Sequence, residues 1–187
     1  MPEQAANTPA ERNRLFEHDG ERFLIRPICP GDLRAHEVFV ARLSPEDMRL
    51  RFFIPTRVLP AEQMARMTGI DHEQEMAFVA IRETTGQTAG VARLIRDDKH
   101  SPHAEFAIVV DNGAKHKGVA AELMDAIIDW GKSRGVTCIQ GRILADNIHM
   151  LAFVQHFGFV LKHCPDEPNI FEATLMCGPE PGEASGI

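Results

Sequence analysis

Two stretches of the chain carry residue types and spacings suited to chemistry. The first is NGAKHKGVAAELMDAI, Asn112 to Ile127, where a turn with two lysines and a histidine runs straight into an apolar helix. The first turn of a helix has backbone N–H groups without partners, and its aligned peptide dipoles add partial positive charge. Gly118 lets a ligand come close to the backbone, Ala120 and Ala121 keep the next turn slim, and Lys115 and Lys117 add full charges. Such a turn suits a phosphate or pyrophosphate. The plainer reading is that the lysines are solvated turn residues. The second feature is Glu105, the one acid inside the apolar strand core Ala104 to Val110. Alternation places it on the face of Ala107 and Val109, opposite Phe106 and Ile108. Its plainer reading is a rim glutamate in a salt bridge.

Other phosphate-binding designs fit poorly. A P-loop needs G-x-x-x-x-G-K-[ST], which the turn lacks. A dinucleotide fold needs three glycines after a parallel strand, whereas only Gly113 and Gly118 are present, at the wrong spacing. His103, His116 and His149 show no metal-ligand spacing, so no metal is expected. Cys29, Cys138, Cys164 and Cys177 show neither metal nor redox spacing and read as reduced thiols.

The elements that must position these residues follow from periodicity and punctuation. Residues 22–26 form a short strand ending at Pro27, and Asp32 is placed to cap a helix over 33–43. Ser44 and Pro45 start a second helix, and Pro60 opens a third over about 61–67. Three strands follow, over 75–82, 88–95 and 103–110, as an antiparallel meander. Gly118 opens the next helix, and Gly135 sits where a C′ glycine belongs. A strand over 136–144, a helix over 147–157 and a closing strand pair, 159–162 and 170–176, complete the chain. The helix between 103–110 and 136–144 is a crossover, so those two strands should be parallel. The expected fold is mixed α/β with helices on both faces of the sheet.

The chain has 187 residues, 44% hydrophobic and 25% charged, with a net charge of −7 and a pI near 5.7. This suits one soluble domain over 14–177, with disordered tails at 1–13 and 178–187 rich in Pro, Gly, Ala and Glu. The acidic balance argues against a nucleic-acid partner. The polar start and the lack of a long apolar run predict a cytoplasmic chain with no membrane partner.

Element order and motif together resemble the GNAT superfamily of acyl-CoA-dependent N-acyltransferases. The family's pyrophosphate loop is [Q/R]-x-x-G-x-[G/A]. Lys115-His116-Lys117-Gly118-Val119-Ala120 is similar to it, with Lys for Gln or Arg and His116 where Gly is usual. The family's Asn-helix-GF segment is matched by Asp146-Asn147-Ile148-His149-Met150 through Gln155-His156-Phe157-Gly158-Phe159, and Ile25-Arg26-Pro27 is a typical opening. Within the family, IRPICPGDLRAHEVFVARLSPEDMRLRFF and AEFAIVV look most like the acetyltransferase domains of bacterial protein-lysine acetyltransferases.

The resemblance implies a GNAT-type, mostly antiparallel sheet whose parallel pair, near 103–110 and 136–144, splays apart. It implies acetyl-CoA as cosubstrate, its pantetheine arm bonded to the backbone of Ile108, Val109 and Val110. The pyrophosphate would lie on Lys115 to Ala121, with further contacts from Asn147, Met150 and Phe153. Asn147 also reads as an ordinary helix N-cap. The resemblance makes Glu105 the general base, directly or through a water. Many family members use a tyrosine as acid to the leaving thiolate. The matching position here is Phe153 and the chain has no tyrosine, so that route is closed; Cys138, His149 and His156 are the alternative donors. Arg49 and Arg51 either line the acceptor groove or form a charged helix face. The implied acceptor is a primary amine, protein lysine first, a small polyamine or aminoglycoside second, with the chain acting as monomer or homodimer. A non-catalytic acyl-CoA sensor is the reading from another class.

Overall fold

The computed structural model describes residues 13–53 and 59–178. Apart from residues 13 and 178, the expected tails lie outside the described residues. In chain order the elements are β1 (Arg14–His18), β2 (Glu21–Pro27), a 3-10 turn (Pro30–Asp32), α1 (Leu33–Arg42), α2 (Pro45–Phe52) and α3 (Ala61–Thr68). They continue with β3 (Glu75–Arg82), β4 (Thr88–Arg96), β5 (His103–Val110), α4 (Val119–Ser133), β6 (Cys138–Leu144), α5 (Ile148–His156), β7 (Val160–Cys164) and β8 (Glu167–Met176). The eight strands form one sheet in the order β1-β2-β3-β4-β5-β6-β8-β7. Only β5 and β6 pair in parallel, joined through α4 as the crossover argument required.

Each face of the sheet has its own core. Phe106, Ile108 and Val110 of β5 pack with Leu123, Met124 and Ile127 of α4. The alternate positions turn the other way, where Ala77, Val79 and Val91 meet Phe39, Val40, Met48 and Met64 of the first three helices. Burial on both faces accounts for strand sequences that are nearly continuous in apolar residues.

Local chemistry sets the element ends. Ser44 caps α2 by accepting from the Asp47 N–H at 3.0 Å, and the Asp47 carboxylate reaches back to the Ser44 N–H. At the end of α4, Val136 N–H bonds Gly131 C=O and Gly135 N–H bonds Lys132 C=O, with Gly135 at φ 78°. That Schellman closure favours glycine at 135. It also engages the Val136 amide, while Thr137 and Cys138 both bond Pro102 C=O. The strand therefore starts at Cys138, two residues later than expected. β8 starts at Glu167, three residues earlier than expected.

β1 is the element that the sequence reading did not include. It pairs antiparallel with β2 through a two-residue turn, Asp19-Gly20, with φ 49° and 75°. Asp-Gly between two alternating runs is a strong hairpin signal. That signal was present in RLFEHDGERFLIR.

Candidate active site

The centre of the sheet forks. β5 and β6 stay in register for three residue pairs only: His103 with Cys138, Ala104 with Ile139, and Glu105 with Gln140. Beyond Glu105, β5 remains bonded to β4 as far as Val110, and β6 to β8 as far as Leu144. Among the described residues, the inner edges of both strands past that point have no ladder partner. Phe106 is the first residue beyond the fork, and its ring lies over Gly141. A Cβ at 141 would sit 2.2 Å from that ring, so only glycine leaves it room. A glycine inside an apolar strand was the signal for this close approach, and the sequence reading did not use it.

Glu105 stands at the vertex. It is exposed, on the face of Ala107 and Val109 as alternation predicted. No salt bridge engages it among the described residues, so it is not a rim acid tied to a cation. Ile108 and Val110 are buried and Val109 half-buried, so their side chains fill core while their backbone faces the open fork.

β5 leads directly into the basic turn. The first intrahelical bond of α4 is Glu122 N–H to Gly118 C=O, which leaves the amides of Val119, Ala120 and Ala121 without helical acceptors. Gly118 takes φ 76° and His116 φ 63°. His116 thus adopts the left-handed conformation natural to glycine. Phe16 of β1 lies against Gly118, where a Cβ would come within 2.9 Å of its ring.

The two lysines are not free cations here. Lys115 Nζ bonds Asp47 Oδ1 at 2.6 Å, and Lys117 Nζ bonds the Glu21 carboxylate. Lys117, ahead of Arg82, holds the Glu21 carboxyl below its usual range. Arg82 also grips Asp111 through both oxygens, at 2.9 and 3.0 Å, and so fixes the start of the turn.

Helix α2 bridges the fork. Its Asp47 reaches the turn after β5, and its Arg49 reaches Asp146, after β6, at 2.8 Å. Arg49 also pairs with Glu46, on an exposed helix face. Arg51 goes the other way and lines a cavity between α1, α2, β4 and β5. His36, Phe39, Phe52, Arg93, Ala107 and Val109 are among its other walls. Of the two arginines, Arg51 lines this cavity and Arg49 does not.

His36 is 5% exposed, and neither ring nitrogen has a hydrogen-bond partner among the described residues. Burial, then the positive charges of Arg93 and Arg51, pushes it down to about 4. Unfolding therefore takes up a proton between the ordinary value of 6.5 and about 4. Stability falls as pH drops through that window, by up to about 1.4 kcal/mol per pH unit from this group. Urea unfolding at several pH values should show a slope up to one proton smaller in His36→Leu.

On the far side of the fork, Asn147 caps α5 by accepting from Met150 N–H at 3.2 Å. The N-cap reading of Asn147 is therefore met by the structure. Met150 and Phe153 are half-buried against the α4-side core, with the Phe153 ring tilted at 52° to that of Phe157, 5.0 Å between centroids. His149 and His156 are exposed. Cys138 is buried at the closed end of the fork, and burial, then Glu172, pushes its thiol up. Among the described residues no group of three His, Cys, Asp or Glu side chains is placed to hold a metal. No helix among them is long and apolar enough to cross a membrane.

This architecture has known counterparts. The acetyltransferase Pat of Mycolicibacterium smegmatis is 28% identical over 144 residues, 75% of this chain but only 42% of that protein. The chain thus spans less than half the length of that relative. The acetyltransferase PA5475 of Pseudomonas aeruginosa is 28% identical over 151 residues, covering 80% of this chain and 81% of the relative. In fold, the GNAT domain of S. lividans PAT superposes with a TM-score of 0.82 at 23% identity, over 90% of this chain and 98% of the domain. The model of the acetyltransferase (GNAT) family matches residues 44–159, more than half of the chain, with α2, the fork, the basic turn and α5 all inside the match. The chain is a member of the GNAT acetyltransferase family.

Proposed function

We propose that this protein transfers the acetyl group of acetyl-CoA to a primary amine by direct attack, with Glu105 as general base. Protein lysine is the first acceptor to test and small amines the second. The observation that carries the reading is the place of Glu105, an exposed carboxylate, without a salt bridge among the described residues, at the vertex where β5 and β6 part. The open β5 edge at Ile108, Val109 and Val110 supplies backbone groups for the pantetheine arm. The pyrophosphate lies on the amides of Val119, Ala120 and Ala121, below Gly118. The thioester carbonyl then sits near the vertex, and an amine entering from the α1–α3 face meets Glu105.

Lys115, His116 and Lys117 flank that anion. For Lys115 and Lys117 to contact it, each must leave its carboxylate, Asp47 or Glu21. Asn147 is occupied as a cap, and Met150 and Phe153 give the far wall of the fork an apolar surface. With no tyrosine available, the thiolate leaves into solvent or takes its proton from His149, the exposed histidine in the first turn of α5.

The test is acceptor-dependent release of free CoA from acetyl-CoA with lysine peptides, lysate proteins and small amines. Release that requires an acceptor supports the transferase. Tight acetyl-CoA binding with no productive acceptor moves a non-catalytic acyl-CoA sensor ahead.

A further inference from the structure

The cavity beside Glu105 holds a cation, Arg51, that forms no salt bridge among the described residues. Arg93, 5% exposed, is neutralised by Glu75 and also donates to the Met67 carbonyl. Arg51 has no carboxylate within 4.0 Å among the described residues. Its guanidinium lies over the Phe52 ring, 4.7 Å from the centroid. Its exposed surface is intermediate, yet the apolar walls around it push it down to about 10, an effect that Glu105 partly offsets. A cation held in such surroundings without a counter-charge is unfavourable unless something completes it.

His36 supplies a second, independent sign. It lines the same cavity, is 95% buried on a 5% exposure, and has both ring nitrogens unsatisfied. Its low proton affinity leaves it neutral at pH 7, so it offers one N–H donor. Buried polar atoms are rarely left unpaired. One permanent cation and one neutral donor make a site for a monoanion.

We infer that the cavity holds a carboxylate of the acceptor, bonded by Arg51 with His36 as a second donor, while the acceptor's amine lies at Glu105. The charge order suits a zwitterion: the negative carboxylate at the vertex faces the ammonium end, and the cation in the cavity faces the acid end. Glu105 is not itself a cavity wall and makes no salt bridge with Arg51 among the described residues, though its charge partly offsets the burial of that cation. This rests on the acetyl-transfer reading for its purpose, but not for the binding itself. The carboxylate has two possible sources, a small amino acid or an acidic side chain beside a lysine.

The experiment compares matched acceptors. One arm sets the ω-amino acids from β-alanine to 6-aminohexanoate against diamines of equal chain length. The other sets lysine peptides with a neighbouring Glu against the same peptides with Gln. In at least one arm the carboxylate acceptor should win by 10-fold or more in kcat/KM. That preference should disappear in Arg51→Gln, through KM rather than kcat, and survive in part in Arg51→Lys. Diamines and Gln peptides both acetylated as well as their carboxylate counterparts, or a preference unchanged in Arg51→Gln, would overturn the proposal.

Binding is read separately, by NMR titration of the His36 ring signals with 5-aminopentanoate and with 1,5-diaminopentane. A shift with the amino acid alone, lost in Arg51→Gln, supports the site even if no acceptor releases CoA. In that case acetyl transfer fails and the anion site stands. No selective shift in the wild type, together with no acceptor preference, rejects the site whatever the fate of acetyl transfer.

Discussion

Glu105→Gln should lower the kcat of acetyl transfer by about 100-fold or more while leaving KM for acetyl-CoA nearly unchanged. A lysine-type amine has a pKa near 10.4, so roughly one in 2,500 is neutral at pH 7. A carboxylate at the vertex recovers much of that factor by taking the proton as attack begins; an amide cannot. Glutamine has the same shape, and Glu105 is exposed and without a salt bridge among the described residues, so the variant should fold with stability within about 0.5 kcal/mol of wild type. The loss is then chemical and should shrink as pH rises, because solvent supplies more of the neutral amine. Initial rates of CoA release from pH 6.5 to 9.5 measure this directly. A loss under 10-fold at pH 7, or one that stays constant with pH, would remove Glu105 from the role of base.

Much of this site was legible in the sequence because its parts are local. The meander, the crossover helix, the capping of α2 by Ser44 and the glycine closing α4 each announce themselves within a few residues. So did the basic turn, whose anion-binding logic needs only a strand, a glycine and a helix start. The parts that were not legible depend on distant residues meeting. Nothing near Lys115 or Lys117 in the chain shows that Asp47 and Glu21 will hold them. Arg49 and Arg51 are two residues apart, and only the rotation of α2 over β5 sends one to Asp146 and the other into the cavity. The opposed demands of Phe106 and Gly141 are likewise set by the register of β5 against β6. β1 is a different case: its Asp-Gly turn was readable, and it brings Phe16 onto the basic turn.

The cavity wall makes the largest stability prediction. Arg93 crosses from β4 into the α1–α3 core, where its side chain is 6% exposed, and its acidic partner is Glu75 on β3. Burial, then the charge of Arg51, pushes the guanidinium down, the Glu75 carboxylate in contact with it works the other way, and Arg93 stays charged at neutral pH. Glu75→Ala removes the counter-charge and leaves the Met67 carbonyl as its remaining acceptor among the described residues. Stranding a buried charge in this way should cost about 3 kcal/mol. Arg93→Met should cost less, because Glu75, at 25% exposure, can turn to water once its partner is gone. In the double variant the stranded charge is absent, so Glu75→Ala with Arg93→Met should be more stable than Glu75→Ala alone. Urea unfolding of the four proteins gives this cycle directly, provided the slope against denaturant stays constant. If Glu75→Ala costs under 1 kcal/mol, or if the double variant is no better than the single, Arg93 is satisfied by water rather than by Glu75. The cavity would then be wetter than its walls imply, and Arg51 would have less need of an acceptor's carboxylate.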